Sequence, residues 1–371
     1  MTNQTRRTIL ILLTALMMLI LIMGGLIYLL AGDDIIAAGK RAVLRISVIL
    51  RENELDQRVS DDQTPIRFTV QPGDNANTIG QRLEANGIIH DAGLFADYVQ
   101  AEGFDADLDA GTYFLNPSMT LREVAQELRD SSFSTIVFTI VPGQRIEQIA
   151  ETIDATAPYF TFSGAEFMGF VGAGAQIPYE FAQRNGIPSG ASLEGFLLPN
   201  TYQLPPEINA QELRDMLLET FDAAITADMR ATAAADGYTI YEIVTLASII
   251  EREAVYADEH PVIASVYRNR LETPGWRLEA DPTVQYGHPN AGPSNWWPRI
   301  SVADYRSVNS AYNTYIHDGL PPGPIASPSL SAIQAAITPM ETPYFFFRAD
   351  CRGDNRHDFA ITYEEHIANG C

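Results

Sequence analysis

The chain has 371 residues, 46% of them hydrophobic, which leaves room for two or three domains and excludes wholesale disorder. Its formal net charge is −23, with 24 Lys and Arg against 47 Asp and Glu, and no stretch gathers the basic residues together. Nucleic-acid binding, which needs a net or local basic surface, is therefore not expected, and the acidity reads as plain solubility.

From Thr8 to Gly32 no residue is charged, and Leu, Ile and Met dominate. About 20 apolar residues cross a hydrocarbon core of ~30 Å as a helix, so residues 1–32 are expected to be a short tip and a retained transmembrane helix. The rival is a cleaved signal peptide, whose apolar region spans only ~7–15 residues before a small-residue cleavage site. Leu29-Leu30-Ala31-Gly32-Asp33 is a poor site of that kind. Arg6 and Arg7 precede the span, but Lys40, Arg41, Arg45 and Arg51 follow it, so charge alone leaves the orientation open. Residues 33–65 read as a stalk and linker: Ile35 to Arg51 continues as a helix or stalk, and Glu52 to Pro65 is polar and interrupted.

Residues 66–135 read as a small domain. Ile66-Arg67-Phe68-Thr69-Val70 alternates like a strand, Gln71-Pro72-Gly73-Asp74 is a turn, and Asn77 is placed to cap a helix carrying Ile79 and Leu83. A helix around Leu94 to Ala101, a return strand over Ala110–Leu115 and a capped helix from Thr120 to Leu128 follow. The strand, Pro-Gly turn and helix then recur in Ile136–Ile140, Val141-Pro142-Gly143-Gln144 and Ile146–Ile153. This pattern resembles the βααβ LysM module that grips N-acetylglucosamine-containing glycans, although an ordinary small α/β domain explains it equally.

Residues 136–371 read as a larger mixed α/β domain. Ser163 to Pro206 is rich in Gly and Pro, suited to loops and short elements around a ligand face. Ala210 to Ala234 has a helical pattern. Thr239 with Glu242 forms a capping box for a helix that is apolar on most sides, with Ile243, Val244, Leu246, Ala247, Ile249 and Ile250, and is therefore buried. Tyr344-Phe345-Phe346-Phe347 reads as a core strand. The two cysteines, Cys351 and Cys371, are either one disulfide closing the tail or two free thiols.

That buried helix runs into Ile249-Ile250-Glu251-Arg252-Glu253-Ala254. A carboxyl group emerging from apolar surroundings has its charged form disfavoured and suits proton donation, so Glu251 is a candidate general acid. The alternative is a helix-end ion pair with Arg252 or Arg270. No phosphate loop, nucleophile elbow or dinucleotide fingerprint is present, and the six His are scattered without metal spacing. No metal or cofactor is expected. Tyr202, Tyr286, Trp296, Trp297, Tyr312 and Tyr315 stand beside Asn200, Gln285 and Asn313 in Gly/Pro-rich stretches, a composition that suits a sugar groove or simple packing.

Four segments, taken together, resemble the YceG-like endolytic murein transglycosylase family. They are Ala247-Ser248-Ile249-Ile250-Glu251-Arg252-Glu253, Leu193-Glu194-Gly195-Phe196-Leu197-Leu198-Pro199-Asn200-Thr201-Tyr202, Leu278-Glu279-Ala280-Asp281-Pro282-Thr283-Val284-Gln285-Tyr286-Gly287, and Tyr312-Asn313-Thr314-Tyr315 running on to Gly319-Leu320-Pro321-Pro322-Gly323-Pro324-Ile325. Asn200 stands where the family has an acid, and Ala280 where it has a serine.

The resemblance implies an α+β, single-pass inner-membrane protein with a LysM-like subdomain and an extracytoplasmic catalytic domain. It implies peptidoglycan glycan strands as substrate, the lipid bilayer and cell-wall synthases as partners, and Glu251 as catalytic acid/base. Cleavage of the β-1,4 bond between N-acetylmuramic acid and N-acetylglucosamine would leave a 1,6-anhydro end and stop strand elongation. Glu194, Asn200, Tyr202, Asp281, Gln285, Tyr286, Asn313 and Tyr315 are the implied substrate contacts. Two readings compete: a tethered glycan-binding scaffold that does not cut, and a hydrolase using Glu253 or Asp281 as a second carboxylate.

Overall fold

Two matching strands, β1 (Ile66–Val70) and β3 (Ile136–Ile140), each run into a Pro-Gly turn and then a helix, and each pairs antiparallel with a strand that returns after a helical excursion. The computed structural model describes residues 17–19, 22–25, 38–129 and 135–370. It has two units, Met1–Ser134 and Thr135–Cys371. Both mix helices with two-stranded antiparallel sheets, so the class is α+β.

In the first unit, α1 (residues 38–50) and α2 (Glu52–Leu55) precede β1. Then come α3 (Ala76–Ala85), α4 (Ala92–Glu102), β2 (Gly111–Leu115) and α5 (Leu121–Glu127). The β1–β2 register runs from Ile66 opposite Leu115 to Val70 opposite Gly111. Phe68, Val70, Ile79, Leu83, Phe95, Val99, Tyr113, Leu115 and Val124 form the core. Gly80 lets α3 and α4 meet, since a Cβ there would lie 2.7 Å from the Ala92 carbonyl oxygen.

Asn75, not Asn77, caps α3, because its side chain accepts from both the Asn77 and Thr78 amides. Thr120 and Glu123 form the capping box of α5. The segment expected as a linker is tied to this unit: Leu55 is fully buried in the core, Asp56 pairs with Arg122 at 3.0 Å, and Arg58 bridges to Thr120. Of the expected membrane span, residues 17–19 and 22–25 are helical and exposed, and the remainder lies outside the described residues. Among the described residues no helix is long and apolar enough to cross a membrane.

In the second unit, β3 leads to α6 (Ile146–Ala155), α7 (Gly164–Val171) and α8 (Tyr179–Asn185), then to β4 (Asn200–Leu204). The hairpin reproduces the first unit's in detail. Thr139 and Thr201 meet at 3.1 Å as Thr69 and Thr112 do at 3.0 Å. Tyr202 donates to the carbonyl four residues back at 2.6 Å, as Tyr113 does at 2.7 Å. In both turns the first residue's amide donates 2.8 Å to the side chain of the fourth, Gln144 or Asp74, and Gly143 and Gly73 carry the left-handed φ the turn requires. The repeat in the sequence thus extends to the return strands.

Next stand α9 (Ala210–Ala224), α10 (Ala227–Ala235), α11 (Ile240–Glu253), α12 (His260–Glu272), α13 (Asp281–Tyr286), α14 (Asp304–Ser307) and α15 (Leu330–Ile337). The single helix expected over Ala210–Ala234 is two. Ile225 is extended, and Thr226 caps the second helix by accepting from the Met229 amide, a stronger start signal than the helical pattern across it. Helix α11 opens on the Thr239–Glu242 capping box, is buried from Ile240 to Ile250, and packs against α12, α13 and α15.

At the chain's end, β5 (Phe346–Ala349) and β6 (His357–Ala360) form a hairpin, followed by α16 (Tyr363–Ala368). The strand starts two residues later than expected and is half-buried at the surface, not core. Cys351 is held in a disulfide. Cys371 lies outside the described residues.

Candidate active site

Glu251 leaves the buried part of α11 one residue after Ile250, in its last turn. Its Oε2 accepts two hydrogen bonds from Ser329, from the amide at 2.9 Å and from the hydroxyl at 2.5 Å. Ser329 is also the N-cap of α15, so the carboxylate meets the positive end of that helix. Beyond it, Ser331 Oγ lies 3.0 Å from Ser329 Oγ, and His260 Nδ1 lies 3.2 Å from Ser331 Oγ. His260 is buried, and burial lowers its pKa despite the nearby carboxylates of Glu251, Asp258 and Glu259.

The helix-end ion pair does not form. Arg270 instead donates to the carbonyls of Phe345 at 2.7 Å and Leu278 at 2.6 Å. Arg252 lies 3.9 Å above the Trp297 ring. The Pro142-Gly143 turn comes so close that a Cβ on Gly143 would lie 3.0 Å from Arg252 Nη1.

Beside Arg252, the buried Arg145 is centred 4.3 Å from both the Tyr286 and Trp297 rings and donates to the Trp296 carbonyl. Burial lowers the pKa of both guanidinium groups. Tyr286 and Tyr312 are in contact, with ring centroids 4.6 Å apart. Trp296 Nε1 donates to Glu151 at 2.9 Å, tying the Pro289–Pro298 loop to α6. Gln285 fastens the same loop through the Pro298 carbonyl at 3.0 Å. Half-buried aromatic faces thus stand next to Arg252, the residue after Glu251.

On the other side of the helix end, Glu253 accepts from buried Tyr267 at 2.5 Å, and burial pushes its carboxyl up to about 7. It shares a cavity of about 440 Å³ with Asp281, Glu279, Tyr305, Tyr315, Arg270 and Arg348. Asp281 accepts from Tyr315 at 2.6 Å, and the Tyr315 ring is stacked on Tyr305 with centroids 4.1 Å apart. Positions 251 and 253 point away from one another on a helix, so the two glutamates serve different surroundings.

Of the implied substrate contacts, Asp281 and Tyr315 line this cavity, while Gln285 and Tyr286 belong to the Arg145 cluster. Asn200 is exposed on β4. Three others are occupied inside the fold. Tyr202 is buried on β4 and bonded to Leu198. Asn313 is fully buried, donating to Val308 and Tyr305 and accepting from the Tyr315 amide. Glu194 is 1% exposed and accepts from the Ile146 amide at 3.2 Å, capping α6, and burial together with Glu147 pushes its pKa up to about 8.

Ser329, Ser331, His260, Arg145 and Tyr267 were not singled out from sequence. Ser329 carries a readable signal as a serine before a helical pattern, but its reach to a residue 78 positions away does not.

Comparison with known proteins agrees with the motifs. The chain is 28% identical over 317 residues to a Streptococcus pneumoniae (strain D39) protein named endolytic murein transglycosylase, across 81% of this chain and 57% of the relative. It thus spans a little over half of that relative's length. A Bacillus subtilis (strain 168) protein of the same name is 28% identical over 316 residues, covering 82% of this chain and 84% of the relative. A crystal structure of a yceG-like protein from Listeria monocytogenes matches with a TM-score of 0.53 at 27% identity, over 83% of this chain and 99% of that one. The model of the YceG-like family matches residues 68–370, and the chain belongs to that family.

Proposed function

We propose that this chain is an endolytic lytic transglycosylase that cuts the β-1,4 bond between N-acetylmuramic acid and N-acetylglucosamine in peptidoglycan strands. The observation that carries the reading is Glu251: a carboxyl group at the end of a buried helix, with Oε2 held by Ser329 and, among the described residues, no arginine ion-paired to it. The names of the relatives and the family motif around Glu251 support the same activity.

A single carboxyl group suffices for this chemistry. Glu251 gives its proton to the glycosidic oxygen as the bond from C1 breaks. The muramic C6 hydroxyl then closes on C1, and its proton returns to Glu251, leaving a 1,6-anhydro end. Hydrolysis would need a second carboxylate to attack or to activate water. Glu253 and Asp281 are engaged by tyrosines instead, which favours the one-carboxylate route.

The half-buried faces of Tyr286, Trp296 and Trp297 beside Arg252 suit sugar rings, with Asn200, Gln285, Asp281 and Tyr315 as further contacts. The βααβ order β1-α3-α4-β2 supports a LysM-like glycan-binding role for the first unit. The apolar run Thr8–Gly32 supports a single-pass anchor in the inner membrane, and membership of the YceG-like family supports an extracytoplasmic location for the rest, near cell-wall synthases.

The test is digestion of purified glycan strands by the full chain in detergent, wild type beside Glu251→Gln, with products identified by mass. Anhydromuramic ends from wild type alone are expected. Reducing ends would make the enzyme a hydrolase, and strand binding without any cleavage would make it a scaffold.

A further inference from the structure

We propose that His260, Ser331 and Ser329 form a one-way chain of hydrogen-bond donors that fixes Oε2 of Glu251 as a permanent acceptor and leaves Oε1 to carry the catalytic proton. The inference rests on the reading of Glu251 as acid/base.

Counting hydrogens sets the direction of the chain. Ser329 has one hydroxyl hydrogen, and at 2.5 Å it donates that hydrogen to Glu251 Oε2, the oxygen that already accepts the Ser329 amide. Ser329 Oγ is then an acceptor towards its other neighbours, the Ala332 amide at 3.3 Å and Ser331 Oγ at 3.0 Å. Ser331 therefore donates to Ser329, which uses its only hydrogen. The remaining contact, His260 Nδ1 to Ser331 Oγ at 3.2 Å, needs a hydrogen on Nδ1. The chain thus selects the Nδ1–H tautomer of His260 and runs from His260 to Ser331, to Ser329 and on to Glu251.

Oε2 receives the Ser329 amide as well, at 2.9 Å, and every hydrogen bond that the described residues make to Glu251 ends on this oxygen. A proton on Oε2 would displace the Ser329 hydroxyl hydrogen, reverse the chain and leave a weaker acceptor for the Ser329 amide at the positive end of α15, so the proton is assigned to Oε1. The reaction returns its proton to the same carboxyl group, so no path to bulk water is needed. The three residues orient the carboxyl group rather than conduct protons; they are positioning residues.

The test uses the full chain in detergent on glycan strands, with kcat and KM measured separately at a temperature where every variant is folded. Ser331→Ala and His260→Ala are expected to lower kcat about tenfold with KM within about twofold. Ser331→Thr and His260→Asn, which retain a hydroxyl and an N–H at the required places, should recover most of it. Unchanged kcat in both alanine variants, or a loss confined to KM, overturns the proposal. The ¹⁵N spectrum of His260 gives a readout independent of activity: a proton on Nδ1 with Nε2 bare supports the chain, and the opposite tautomer overturns it. A wild type that makes no anhydro ends would refute the proposed function, while the nitrogen spectrum would still judge the chain.

Discussion

Glu194 is a carboxyl group placed where its charge costs stability. It is 1% exposed, its pKa is raised from 4.5 to about 8 by burial and by Glu147, and its oxygens accept from the first amide of α6. Folded protein therefore holds a proton that unfolded chain releases between those two values. The group's contribution is fully present below pH 4.5, declines as pH rises, and levels off above about 8.

Each pH unit inside the window is worth about 1.4 kcal/mol, so wild type should lose ~2.7 kcal/mol from this group between about pH 5.5 and 7.5. Glu194→Gln keeps an acceptor for the Ile146 amide and cannot ionise. The stability difference, variant minus wild type, should therefore grow by roughly that amount over the interval. Glu253, also raised, titrates in both proteins and cancels. Trp276, Trp296 and Trp297 are the chain's three tryptophans and all lie in the second unit, so urea unfolding followed by tryptophan fluorescence reports the unit that holds Glu194. A difference that stays flat with pH, or that shrinks as pH rises, would refute the argument.

Two glycines with the same left-handed backbone separate strain from collision. At Gly195, φ +82, an added Cβ would lie 2.6 Å from Pro324 Cβ and 2.7 Å from Val244 Cγ1, whereas at Gly190, φ +80, it would meet nothing within 4 Å. Gly190→Ala should cost about 1 kcal/mol and Gly195→Ala at least twice that, read from thermal melts; equal costs would mean the packing around Gly195 yields. Tyr267→Phe removes the hydrogen bond that holds down the Glu253 pKa, so the Glu253 carboxyl should titrate above its present value of about 7 in ¹³C NMR. A lower midpoint would show that the Tyr267 hydrogen bond does not hold the Glu253 pKa down.

Local order was legible in the chain because it depends on neighbours. The strands β1 and β3, their Pro-Gly turns, the capping boxes of α5 and α11 and the buried face of α11 all follow from residues within a few positions of one another. The four motifs marked the family by the same local reading. Where two local signals competed, the sum of them misled: Thr226 interrupts the helical pattern over Ala210–Ala234, and Asn75 outdoes Asn77 as a cap.

Tertiary structure alone decided which partner each polar residue in those motifs meets. Glu194, Tyr202 and Asn313 look like substrate contacts in a row of letters, yet their partners are backbone groups of the fold. The glutamates at 251 and 253 look alike, but one meets the start of α15 and the other a buried tyrosine. Such assignments depend on which distant backbone amide or hydroxyl arrives at a carboxylate, and that is set by packing between elements 78 residues apart, on which local propensity has no bearing.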